Sequence, residues 1–125
     1  MSETTGVYQV FTTRQAEIIR LLHVGRERAM TEYRLLDELA RAGFYMTELE
    51  FRSEIAALRK QGIMIGSSAG SNPGYYLIAN MGEFDEFIAT ELLPRIKDLN
   101  DTYRAMSGAA QTQFGGQLSF FGGRS

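Results

Sequence analysis

Thr47 and Glu50 stand three residues apart, immediately ahead of an apolar run, and no other local pattern restricts this chain as tightly. A threonine hydroxyl accepts from the backbone N–H three residues on while the glutamate reaches back, so the pair reads as a reciprocal helix cap. Met46 and Phe51 occupy the two positions of a hydrophobic staple around it. Phe51, Ile55 and Leu58 then recur at i, i+4 and i+7, and Gly62 stops the run. A helix from Thr47 to Gly62 is expected.

Two shorter helices precede it. One starts at Thr12 or Thr13, turns Ile18, Ile19 and Leu22 inward, and ends by Gly25. Residues 26–30 form a connector with room for a strand residue or two. Thr31 caps the next helix, whose stripe is Leu35, Leu36, Leu39 and Ala40, with Asp37 and Arg41 spaced to pair on the wet side and Gly43 ending it. After Gly62, Ile63-Met64-Ile65 and Tyr75-Tyr76-Leu77-Ile78 are β-prone runs flanking the glycine- and serine-rich stretch 66–74, which reads as a hairpin with a long loop. One of Tyr75 and Tyr76 must face the core by strand alternation.

From Gly82 the helical period returns. Leu92, Ile96, Leu99, Tyr103 and Met106 keep a 4-3-4-3 spacing, the seam of a helix packed on another helix, and a homodimer through residues 92–106 is one way to cover it. Pro94 lacks the N–H a helix interior needs and should kink or split this segment. Residues 107–116 are low in complexity and read as a flexible spacer with a typical reach of roughly 16–19 Å. The organisation expected is a lead-in over 1–11, a folded domain over 12–80, a C-terminal helix over 81–107 and a disordered tail over 108–125. The fold class is α+β.

The 125-residue chain is long enough for one modest core. With no cysteine there is no disulfide or thiolate metal site, and one histidine, His23, removes most zinc and triad chemistry. No window approaches the ~20 apolar residues of a membrane span, and the start lacks a basic-then-apolar signal pattern, so a cytosolic protein without membrane partners is expected. The formal net charge of −2 is not that of a bulk nucleic-acid binder. Between Arg14 and Lys60, however, nine Arg/Lys face eight Asp/Glu, so any affinity for DNA must come from local placement.

Candidate chemistry is sparse. His23 and Glu27 are four apart but lack further ligands, and a surface pair explains them. Glu83, Asp85 and Glu86 begin a helix, where acidic residues suit the dipole. The glycines of 66–74 lie between strands, without the helix and Lys-Ser/Thr of a phosphate loop. No catalytic set, metal site or cofactor site is found, and a non-enzymatic role is expected.

Arg52, the pattern Ile55-x-x-Leu58-Arg59-x-x-Gly62, an isoleucine strand, the Gly/Ser loop and Gly74-Tyr75-Tyr76-Leu77 together carry a resemblance. Over residues 13–79, about half of the chain, the sequence resembles the biotin-repressor-type (type 11) winged helix-turn-helix. It is also similar to small phage-encoded winged-helix proteins with a helical C-terminal extension. The resemblance implies that the third helix enters the major groove and that the hairpin loop, the wing, touches the backbone or minor groove. Glu48, Arg52, Ser53, Ala56 and Lys60 would then form the outer side of the third helix, with Ser67, Ser68, Ser71 and Asn72 at the wing tip. Arg26, Arg28, Arg34, Arg59 and Lys60 would contact phosphates. Two departures stand out. Glu48, Glu50 and Glu54 place three carboxylates where phosphates repel them, and the wing carries no Lys or Arg.

The last residues carry a second resemblance. Gln117-Leu118-Ser119-Phe120-Phe121, bracketed by glycine pairs, is similar to the peptide Gln-Leu-Ser/Asp-Leu-Phe by which bacterial polymerases, repair factors and some phage proteins bind the sliding clamp, the polymerase III beta-type ring. Phe120 stands where leucine is usual. The resemblance implies that Leu118 and Phe121 enter an apolar pocket with Phe120 at its edge, while the Gln117 amide donates and accepts at the rim. Burying three such side chains gains ~1.5–3 kcal/mol each, and ordering five residues costs ~1–2 kcal/mol each. The peptide alone should bind weakly. The alternative is a tail folded back on the domain's own groove.

The function implied is a DNA-replication-associated adaptor or regulator, at the nucleoid or replisome and of phage or mobile-element type. It would bind the clamp through 117–121 and double-stranded DNA through Arg34, Arg52, Ser53, Arg59, Lys60, Ser68 and Asn72. Alternatives are a dimeric winged-helix transcription regulator and a protein-docking winged helix without DNA binding.

Overall fold

The computed structural model describes residues 10–115, and the peptide 117–121 lies outside them. The order is α1 (Thr13–Leu21), a 3-10 turn (Arg26–Arg28), α2 (Glu32–Arg41), α3 (Glu48–Lys60), β1 (Ile65–Ser68), β2 (Gly74–Leu77) and α4 (Met81–Phe87). A π-helical turn (Ile88–Leu92) and α5 (Leu93–Phe114) follow. The chain is α+β, and its described residues hold one two-stranded antiparallel sheet.

Contacts divide the chain after Phe87 rather than after residue 80, so α4 belongs with the helices and hairpin. In this first unit Ile18, Leu22, Met30, Leu35, Leu39, Phe51, Ile55, Leu58 and Ile65 form one buried cluster, with Ile19, Leu36 and Met46 packed partly against it. Apart from Ala40, the stripes read from the sequence for the first three helices are therefore in or against this core. α1, α2 and α3 are each capped by a threonine. Thr47 Oγ1 accepts from the Glu50 N–H at 3.0 Å and Glu50 Oε1 accepts from the Thr47 N–H at 2.8 Å, the reciprocal cap expected. Thr12 and Gln15 make a second such box. Thr31 accepts from the Arg34 N–H.

The hairpin pairs Ile65 with Leu77, Gly66 with Tyr76, Ser67 with Tyr75 and Ser68 with Gly74. The loop between the strands is thus five residues, 69–73, and both strands reach into the stretch read as loop. The connector between α1 and α2 joins the sheet at two bridges, Val24 with Leu77 and Met30 with Tyr75. Gly74, at φ +135°, lies so close to this connector that a Cβ would sit 2.2 Å from the Met30 carbonyl oxygen. The hairpin, the connector and α3 are one packed assembly.

In the second unit Pro94 does split the helical segment, but ahead of itself. The proline ring crowds the preceding turn and offers no N–H, and the chain answers with the wider π turn before α5 begins. α5 then runs 22 residues, about 33 Å. Residues 107–114, read from the sequence as flexible spacer, are helical. Ala109, Ala110, Gln111 and Gln113 are good helix formers, and Thr112 folds its hydroxyl onto the Gly108 carbonyl at 3.2 Å, which satisfies it within the helix. Gly115, at φ +59°, ends it. Among the described residues no helix is long and apolar enough to cross a membrane.

Candidate nucleic-acid interface

The outer side of α3 is set by its apolar repeat. With Phe51, Ile55 and Leu58 turned into the core, Glu48, Arg52, Ser53, Ala56 and Lys60 are exposed, the five positions nominated from the sequence. Their chemistry differs from a bare basic helix. Arg52 donates from Nε to Glu32 Oε1 at 2.9 Å and from Nη2 to Glu32 Oε2 at 3.1 Å, a two-pronged ion pair across to α2. Glu48 adds a looser contact at 3.6 Å. The hydrogen bonds to Glu32 hold the Arg52 guanidinium above the ordinary arginine range.

Glu32 also accepts from the Tyr75 hydroxyl at 3.4 Å. Tyr75 packs edge-on against Phe51, ring centres 5.4 Å apart at 78°. Burial raises its phenol above the usual tyrosine range, and the Glu32 charge adds to that shift. Tyr76 is buried on the other strand face. Neither ring is an open platform for a base.

The three carboxylates of α3 prove to have separate tasks. Glu50 closes the cap, Glu48 leans on Arg52, and Glu54 is turned inward. Glu54 Oε2 accepts from Arg14 Nε at 2.8 Å and Nη2 at 2.6 Å, while its Oε1 accepts from Gln15 Nε2 at 3.0 Å. Glu54 therefore ties α3 to α1 and does not face a docked phosphate.

Arg59, nominated as a phosphate contact, is engaged within the fold. Its Nε donates to the Ile65 carbonyl at 2.8 Å, its Nη2 to Ser67 Oγ at 3.3 Å, and its guanidinium lies 5.1 Å from the centre of the Phe87 ring. The hairpin residues are likewise engaged. Ser68 Oγ donates to the Asn72 carbonyl at 3.0 Å, and Asn72, at φ +59°, donates its side-chain amide to the Arg26 carbonyl at 3.1 Å. Arg26 reaches Glu86 at 3.6 Å. Arg34 and Lys60 are exposed, and neither makes an ion pair with another described residue. A cleft of about 230 Å³ opens between the start of α2 and the hairpin, lined by Thr31, Glu32, Ser67, Ser68 and Tyr75 among others.

No family model, curated protein or solved structure matches this chain. Tyr33, Tyr45 and Leu49 lie on or beside the same two helices and are 82%, 79% and 78% exposed. All three lie outside the apolar stripes, and Leu49, off the Phe51-Ile55-Leu58 face, is legible in the sequence as an apolar residue on a wet face.

Glu83 stands in the first turn of α4, where an acidic residue suits the dipole as expected, and it has a second task. Its two oxygens accept from the Arg26 N–H at 2.9 Å and the Ala79 N–H at 2.8 Å, pinning the connector to the start of α4. His23 and Glu27 make no pair: α1 stops at Leu21, ahead of both, and Gly25 between them has φ +105°, so no helix aligns the two. Among the described residues no cluster of His, Cys, Asp and Glu is arranged to hold a metal ion.

Proposed function

We propose that this chain is a replication-associated adaptor that docks on the bacterial sliding clamp through Gln117-Leu118-Ser119-Phe120-Phe121 and contacts duplex DNA through a winged helix-turn-helix formed by residues 12–80. The clamp-like pentapeptide carries this reading. The order of three helices and a hairpin supports the DNA arm, together with the exposed Arg52, Ser53 and Lys60 of α3 and the exposed Arg34 of α2. Arg59, Ser68 and Asn72 drop out of the contact set, because the fold already uses them. With so few cations, the DNA arm is weak and mainly positional. Two weak attachments acting together still give useful avidity.

Titration calorimetry of the full chain against purified clamp tests the first arm. Leu118→Ala with Phe121→Ala should abolish the heat of binding; an unchanged isotherm overturns it. A mobility shift of random duplex, weakening as salt rises and lost in Arg52→Ala with Lys60→Ala, tests the second.

A specific observation favours one other role for the α3 face. Tyr33, Tyr45 and Leu49 suit a protein partner better than a polyphosphate backbone. Duplex binding that is absent at low salt, with clamp binding retained, selects this protein-docking reading.

A further inference from the structure

The second unit is dominated by a helix with no buried residue over its whole length. Leu93, Ile96, Leu99, Tyr103, Met106 and Phe114 are 52–69% exposed, a run of open apolar side chains that a 22-residue helix does not keep in water without a partner. Their arrangement is regular. In heptad terms Ile96, Tyr103 and Ala110 fall at a, and Leu92, Leu99 and Met106 at d. Leu93 and Phe114 lie beside this seam at e.

The charges respect the same seam. Lys97 and Arg104 fall at b, Asp98 at c and Asp101 at f, all on the outer side, where Lys97 and Asp101 pair with each other at 2.9 Å. Arg95 is the one charge at g, and the e position it would meet on a parallel partner is Asn100. The helix-weakening Pro94 and Gly108 both fall at f, away from the seam. A groove of about 690 Å³ beside the first turns is lined by Ala89, Leu93, Pro94, Ile96, Lys97 and Asn100, so it flanks the seam on the e side and does not run along it.

We infer that α5 is a self-association surface on which a second copy of this chain seats as a parallel, two-stranded coiled coil. A second copy is the partner that matches this surface on three counts. An identical helix supplies the same heptad phase without a stutter. It brings no like charge to the one charged flanking position, Arg95. At the start of the helix, Ile96 at a between Leu92 and Leu99 at d is the pattern of two strands. The two aromatics of α5, Tyr103 and Phe114, bury roughly 150–250 Å² each when fully covered, and four aliphatic side chains add to them. Parallel pairing brings both copies of Phe114 to one end, about 10 Å apart. This inference rests on neither clamp binding nor DNA binding, and its tests involve neither ligand.

Sedimentation equilibrium of the full chain across about 1–100 µM should show a monomer–dimer equilibrium, and a monomer throughout, or a trimer, overturns the proposal. Leu99→Glu puts a charge at a seam position that is exposed in the single chain. It should leave the chain monomeric, with the circular-dichroism melt of the α1–α4 unit retained. A dimer that survives Leu99→Glu places the contact elsewhere and also overturns it. Because the chain has no cysteine, Met106→Cys supplies a single thiol. A short bis-thiol reagent should join two copies at this position in high yield, while Asp101→Cys, on the outer side, should not cross-link. Equal yields at the two positions overturn the parallel seam.

Discussion

Glu32 holds Arg52 by both carboxylate oxygens, at 2.9 and 3.1 Å, so the one arginine on the outer face of α3 reaches solvent already neutralised by α2. A phosphate approaching this face must compete with that carboxylate. Glu32→Gln keeps the shape and removes the charge. Affinity for random duplex should rise roughly two- to five-fold, the scale of an exposed ion pair, and fluorescence anisotropy at low salt measures it. The gain should vanish in Glu32→Gln with Arg52→Ala.

Tyr75 makes the same corner sensitive to alkali. Its phenol is half-buried beside Glu32, and burial raises its folded pKa above the ordinary value of 10.0. An acid with a raised folded pKa contributes stability in full below its unfolded pKa and loses it as pH climbs through the folded value. The urea midpoint should therefore hold to about pH 10 and fall above it. In Tyr75→Phe that part of the alkaline loss should be missing, with the midpoint near neutrality little changed.

Arg59 is a structural residue in a position that looks like a DNA contact. Arg59→Met removes a charged donor from the Ile65 carbonyl and a cation from the Phe87 ring. A cost of about 2–3 kcal/mol is expected in denaturant unfolding. Duplex affinity measured where the variant is still folded should not fall.

Two glycines of the hairpin should respond very differently. Gly74→Ala drives a methyl onto the Met30 carbonyl, 2.2 Å from the Cβ position, at a φ of +135°. A loss of about 3 kcal/mol or more in urea unfolding follows from clash and strain together. Gly70, at φ +85°, faces open space. Gly70→Ala should cost only ~1–2 kcal/mol, the left-handed penalty alone.

Signals confined to a few neighbouring residues were readable without a structure. Thr47 with Glu50, Thr31, Gly43 and Gly62 mark helix ends through backbone donors within one turn, and Phe51, Ile55 and Leu58 mark a face by period. The Thr12–Gln15 box was readable on the same rule. The helical stretch after Ser107 was missed because small polar residues look like linker, although the alanines and glutamines among them favour helix.

The interface chemistry was not legible in that way, because it joins residues far apart in the chain. Arg14 and Glu54 are 40 positions apart, Tyr75 and Glu32 43, and Asn72 and Arg26 46. An arginine or glutamate in a sequence shows its charge but not its partner. Order along the chain thus specified where helices start and which faces are greasy, since those depend on one turn of backbone. Which charges remain for a ligand was decided by packing, since Arg59, Glu54 and Glu32 acquire their partners when α1, α2, α3 and the hairpin come together.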